Sequence, residues 1–258
     1  MPGLSLSLGA LLPFLFLGSI RVGITFASLP APFGSVAPTT ARLALTLLIA
    51  FTLSIPGFDP SAPIPLDPIV LLRMGLVELF IGGVIGMTVR VMLGAAEIAG
   101  SAIGQVIGLG FASTVDPNQG DTVLPTTTLL THVGTLIFFG MEGHHALIGA
   151  LAQSFRVAPI GEPLGQVFGA GVIHIGSQMM ARGMQIASPV IATMFIVQLG
   201  TALAARAAPR VHLMAFTFSI VVAAGTLALF VAAPSVISAI AAEVKRIPEA
   251  LSAVVGAG

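Results

Sequence analysis

Four charged residues sit inside one long apolar stretch: Arg73, Glu78, Arg90 and Glu97 all fall between Ile69 and Phe111. A charge near the centre of a bilayer costs at least about 2.5 kcal/mol unless it is paired or hydrated, so each of them must face protein or water. Groups placed in this way suit either a proton or ion relay or structural pairing between helices. Arg90 and Glu97 are seven positions apart, on one helical face but about 10 Å distant along the axis, too far for a direct bond. Pairing with other helices or subunits is the reading this spacing favours.

A second candidate group is Glu142, His144 and His145, in the run Met-Glu-Gly-His-His, with His132 not far upstream. Adjacent histidines on a helix point about 100° apart, unlike the i, i+4 pair of a zinc-binding helix, so a metal site is not expected. His144 reads instead as a helix-start residue hydrogen-bonded at the boundary. The chain has no Gly-x-Ser-x-Gly elbow, and its one lysine, Lys245, is followed by Arg246 rather than closing a phosphate loop. With no cysteine, disulfides and thiolate-held metals or clusters are excluded. Neither an enzyme nor a cofactor is expected.

The elements that must carry these residues are membrane helices. Hydrophobic residues make up 56% of the chain and charged residues 8%, against about a quarter in soluble domains, and the mean hydropathy is +1.06. Ten basic residues balance ten acidic ones, leaving no electrostatic footprint for nucleic acid and no polybasic patch for anionic lipid. The first segment has no basic residue before Arg21, so it reads as a retained helix rather than a cleavable signal. Arg21 and Arg42 follow that segment and place the N-terminus outside by the positive-inside bias.

Apolar stretches run over Leu4–Leu29, Arg42–Ile55, Ile69–Phe111, Val123–Phe139, Gly165–Ala205 and Val211–Ala233. About 20 apolar residues cross a bilayer, which suggests five or six spans, the third and fifth stretches being too long for single straight ones. The run GFDPSAPIPLDP is an exposed, extended loop. Prolines at Pro30, Pro38, Pro125, Pro159, Pro189, Pro209 and Pro234 are expected to break or kink helices. Gly100, Gly104 and Gly108 recur at every fourth position, as do Gly82 and Gly86, and such stripes let another helix approach closely, within the chain or from another subunit. Ile237, Ile240, Val244, Ile247, Leu251 and Val254 form an amphipathic tail bent at Pro248, suited to the membrane interface or to a partner helix.

The polar interruption Gly110–Thr126, GFASTVDPNQGDTVLPT, carries strong turn signals between two apolar segments. Irregular backbone at membrane depth is tolerated only when buried in protein or lining a watery cavity, which suggests a pore-lining or re-entrant loop; a surface loop between spans is the other reading.

In order and spacing the chain resembles the flagellar and type III secretion export-gate subunit family usually called FliR. The resemblance covers nearly the whole length. It is carried by Arg21-Val22, Phe33-Gly34, Pro38, Glu78, Gly82, Gly86, Arg90, Glu97, Gly100, Gly108 and Asp116-Pro117. It continues through Gly143-His144, Ser154-Phe155, Pro159, Gly161, Ser188-Pro189-Val190 and the run from Arg206 to Arg210. One departure is visible: where the family pattern has an asparagine just after the Arg-Ala-Ala-Pro turn and a basic residue in the next helix, this chain has Val211-His212-Leu213 and an uncharged run.

The resemblance implies an all-α, non-enzymatic membrane subunit, present once in a hetero-oligomer with FliP-like and FliQ-like subunits and an FlhB-like switch subunit. It also implies a bacterial inner-membrane location at a flagellar or injectisome basal body, transient contact with exported unfolded polypeptides, and no nucleic acid. A kinked-helix portion over 1–164 and a helical hairpin with its tail over 165–258 are expected. The hairpin would turn on the cytoplasmic side at Arg206, Pro209 and Arg210. The loop after the glycine ladder would be a plug formed by Phe111, Ser113, Thr114, Asp116, Pro117, Asn118, Gly120 and Asp121. Two alternatives remain: a small proton-coupled secondary transporter using Glu78, Arg90 or Glu97, and an intramembrane hydrolase using His144.

Overall fold

The computed structural model describes residues 8–29, 38–57, 64–110, 123–161, 170–207 and 213–256. Among these residues every regular element is a helix: α1 (Leu8–Ala27), α2 (Thr39–Ser54) with a 3-10 turn at Ile55–Gly57, α3 (Pro68–Ile107), α4 (Pro125–Gly140), α5 (Gly143–Val157), α6 (Ala170–Ala207), α7 (Leu213–Val244) and α8 (Ile247–Val255). The protein is an all-α membrane protein, as composition demanded.

Among the described residues, three helical segments are long and apolar enough to cross a bilayer, Pro68–Ile107, Gly176–Arg206 and Phe218–Val255. The Val123–Phe139 stretch yields a helix of 16 residues, about 24 Å long and short of the hydrocarbon thickness of roughly 30 Å. It stops where Glu142, in a left-handed conformation with φ 59°, turns the chain into α5. The long third stretch is not divided: α3 runs for 40 residues, because no proline follows its first position and helical glycines cost packing area without removing a backbone donor. Pro189 and Pro234 lie inside α6 and α7 rather than at their ends, whereas Pro125 and Pro248 occupy first-turn positions where a missing N–H is harmless.

The chain forms two compact units, each assembled from separated stretches of sequence. The first takes Met1–Val91, Glu142–Gly176 and Arg246–Gly258; the second takes Met92–Met141 and Ser177–Lys245. In the first, α1 packs on α2 around Val22, Ala50 and Phe155. There too, α8 packs on α5, burying Ile247, Leu251 and Val254. The apolar stripe of this last helix is therefore covered within the chain. It begins after a turn at Lys245-Arg246, so the bend precedes Pro248. In the second unit, small residues of α3 (Ala95, Ala96, Ala99) sit in one core with Leu130 of α4, Ala187, Val190 and Met194 of α6, and Val236 and Ile240 of α7. Small side chains at these positions let the helix axes approach, which is how helices associate where hydrophobicity supplies no net force between them.

Candidate functional site

The first unit encloses an ion pair. Arg21 of α1 is wholly buried and Glu78 of α3 nearly so. The Arg21 Nε donates to Glu78 Oε2 at 2.5 Å, Nη1 donates to Ser154 Oγ at 3.3 Å, and Nη2 donates to the Ala158 carbonyl at 2.9 Å. The guanidinium carbon also lies 4.3 Å from the centre of the Phe155 ring. Each face of the cation thus meets an acceptor or a π-cloud, which lets it stay charged away from water.

Sequence explains how the two helices come close enough. Glu78, Gly82 and Gly86 fall on one face of α3, and a side chain at either glycine would collide with α1. A Cβ on Gly82 would run into the Arg21 carbonyl oxygen, and one on Gly86 would lie 2.7 Å from the Thr25 carbonyl. Thr25 Oγ1 lies 2.9 Å from both the Arg21 and the Gly82 carbonyl oxygens, tying the two backbones together. The row Arg21, Thr25, Ser28 therefore meets the row Glu78, Gly82, Gly86. The pairing of Arg21 with Glu78 is not visible in the sequence alone, where Arg21 serves as a mark of topology and as part of the family resemblance.

The other charges of α3 are placed differently. Arg73, Arg90 and Glu97 are exposed, and from Thr88 to Ile107 the exposed positions are Arg90, Glu97 and Gln105. Among the described residues none of these charges makes an ion pair. In the second unit Arg182 is engaged, with Nη1 donating to Glu243 Oε2 at 2.9 Å and Nη2 to Gln178 Oε1 at 2.8 Å.

The later glycines of α3 divide between two tasks. Gly100 and Gly104 receive the start of α4: a Cβ on Gly100 would lie 2.6 Å from Thr127 Cα, and one on Gly104 would collide with Thr126 Oγ1. Thr126 Oγ1 donates to the Gly100 carbonyl at 2.8 Å. The close approach is thus to a helix of the same chain. Gly108 instead ends the helix, with φ 90°. Its N–H donates to the Gln105 carbonyl at 3.0 Å, and the Leu109 N–H donates to the Gly104 carbonyl at 2.9 Å. This is the Schellman arrangement, in which a left-handed residue satisfies the last carbonyls.

Phe111, Ser113, Thr114, Asp116, Pro117, Asn118, Gly120 and Asp121 lie outside the described residues, as do Pro209 and Arg210. Arg206 is exposed in the last turn of α6. His144 is the second residue of α5. His145 Nδ1 lies 3.6 Å from Glu142 Oε2, both side chains being largely exposed, and His132 Nδ1 sits 2.6 Å from the Thr128 carbonyl oxygen. Among the described residues no three potential ligands gather as a metal site would need.

Comparison with known proteins gives this arrangement a context. The family model described as "Bacterial export proteins, family 1" matches residues 12–247. The chain is 27% identical over 207 residues to the flagellar biosynthetic protein FliR of Escherichia coli (strain K12), covering 80% of this chain and 78% of that protein. It is 26% identical over 213 residues to the FliR of Caulobacter vibrioides, covering 81% of this chain and 84% of the relative. It is also 27% identical over 171 residues to the Yop proteins translocation protein T of Yersinia pestis, covering 65% and 66% of the two chains. With the match running from α1 to the first residue of α8 and enclosing both ends of the Arg21–Glu78 pair, the chain belongs to family 1 of the bacterial export proteins.

Proposed function

We propose that this chain is a non-enzymatic membrane subunit of a type III protein-export apparatus that helps to form and close the secretion channel. The observation that carries this reading is the family match across residues 12–247, with relatives named for flagellar biosynthesis and for Yop translocation. The surface is consistent with a membrane setting: only 11% of the most apolar window of the Phe218–Val255 segment is buried by the chain itself. A secondary transporter loses its support, since Glu78 is occupied by Arg21 and the relatives are named for export.

In this reading the chain sits in the inner membrane at a basal body, once per assembly, beside FliP-like, FliQ-like and FlhB-like subunits. Residues 1–164 serve as a kinked-helix portion and 165–258 as a hairpin with its tail, turning at Arg206, Pro209 and Arg210. The segment Phe111–Val123 acts as the plug. Its composition supports that role, because proline, glycine and short polar side chains allow a loop to swing from a pore without breaking a helix. The Schellman stop at Gly108 supports it as well, by ending α3 immediately before that segment. Deleting Ser113 to Asp121 should make the assembled gate leak small ions in bilayer recordings. Unchanged conductance in a complex that still assembles would defeat the plug assignment.

A further inference from the structure

The outward faces of the membrane-length helices are of two kinds. Helix α7 turns Ile220, Leu227, Phe230, Val231 and Ile237 outward. Its exposed hydroxyls donate back to their own helix, Thr226 to Val222, Ser235 to Ala232 and Ser238 to Ser235. Such a face suits hydrocarbon, because its large side chains are apolar and these hydroxyls are already satisfied. The α3 stretch within the second unit is the reverse: its apolar side chains are buried or half-buried, and its exposed positions are Glu97 and Gln105.

Glu97, Ser101 and Gln105 fall at i, i+4 and i+8, one row about 12 Å long. Gln105 Nε2 donates to Ser101 Oγ at 3.3 Å. Beside the end of the row, Gln198 of α6 donates to the Val106 carbonyl at 3.1 Å and is itself exposed. The guanidinium of this unit that engages a carboxylate, Arg182, is committed to Glu243 and Gln178. Among the described residues Glu97 has no ion-pair partner, and a carboxylate so placed on a largely apolar helix needs water around it. Lipid does not supply that.

We infer that the Glu97, Ser101 and Gln105 face of α3 is a wetted track of the export channel that favours cationic solutes and basic side chains. The inference rests on the export-channel reading and adds to it the residues that would be wet and the sign of charge they select. Ser101 is the natural reporter, four residues from Glu97 and eleven from Arg90, hence about 6 Å and about 16 Å along the helix.

Because the chain has no cysteine, Ser101→Cys, Gln105→Cys and Leu227→Cys each introduce a single thiol. They are to be tested in membranes containing the assembled complex, with cysteine-free partner subunits. The probes are two membrane-impermeant methanethiosulfonates, one cationic (trimethylammonium) and one anionic (sulfonate). Positions 101 and 105 should react readily and position 227 should stay slow. Adding Glu97→Gln to Ser101→Cys should lower the cation-to-anion rate ratio about tenfold, the effect of a unit charge roughly 6 Å away at the dielectric constant of water. Thiols at both 101 and 105 as slow as at 227 would overturn the track, which is the result a covering partner helix would give. An unchanged rate ratio would overturn the charge preference. Co-purification from the same membranes keeps the two readings apart: unreactive thiols in an intact complex refute the track alone, whereas a chain that purifies as a homo-oligomer refutes the export reading.

Discussion

Helix α3 carries two carboxylates with opposite fates. Glu78 is enclosed against Arg21, while Glu97 stands exposed. The next residues along the same face separate them: Gly82 and Gly86 behind Glu78, Ser101 and Gln105 behind Glu97. Two glycines at i+4 and i+8 let the backbone of α1 lie directly on α3 and deliver a guanidinium to the carboxylate. Serine and glutamine at the equivalent positions keep the surface polar. An acidic residue in a membrane helix is therefore read best together with its neighbours one and two turns on. Alone, it says only that lipid is excluded.

Breaking the enclosed pair gives the largest expected effect. Arg21→Ala leaves a buried carboxylate without its cation and should cost about 3–5 kcal/mol, seen as a lower thermal midpoint of the solubilised complex and less protein accumulating. Combining Arg21→Met with Glu78→Leu should recover most of the loss, since a buried pair often contributes little beyond well-packed apolar residues of similar size. Equal losses in the single and double variants would mean that the pair itself is not what the site needs. Next comes the close approach. Gly82→Ala forces a methyl onto the Arg21 carbonyl and should destabilise by about 1–3 kcal/mol. Gly83→Ala, where nothing lies within 4 Å of the new methyl, should be neutral or stabilising by up to about 1 kcal/mol. Matching losses at the two positions would remove the glycine face as the cause of pairing.

Much of this is legible in the sequence, in a definite order of difficulty. The helical, lipid-compatible class comes from composition. The glycine face at Gly82 and Gly86 is visible as spacing, and Glu78 lies on it, but the identity of the helix that fills it depends on a partner 57 residues away in sequence. Periodicity reports which face is small and not what meets it. Helix ends are harder. Prolines at Pro189 and Pro234 suggest breaks or kinks, and spacing does not choose between them; both helices continue through them, because a proline removes one backbone bond and a long apolar helix retains the rest. Gly108 looks like a third rung of the ladder. Its left-handed φ, which no spacing rule reveals, makes it the stop of α3 instead. The amphipathic stripe at the end of the chain is legible as a stripe, and its cover is α5.

The smallest effect gives the sharpest comparison, because it applies one chemical change at two places on one helix. Glutamine keeps the shape of glutamate and removes its charge. At Glu78 it replaces a charge-assisted hydrogen bond to a wholly buried guanidinium, so Glu78→Gln should lower stability by about 1.5–3 kcal/mol. At the exposed Glu97, with no ion pair among the described residues, Glu97→Gln should change stability by less than about 0.5 kcal/mol. Thermal midpoints of the two variants, taken in the same solubilised complex, make the test. A loss at Glu97 equal to that at Glu78 would mean that the assembly supplies Glu97 with a buried cation, and the outward row of α3 would then be a subunit contact. A silent Glu97→Gln in stability, together with a changed charge preference at Ser101, is the combination expected of a residue that faces water and acts on what passes.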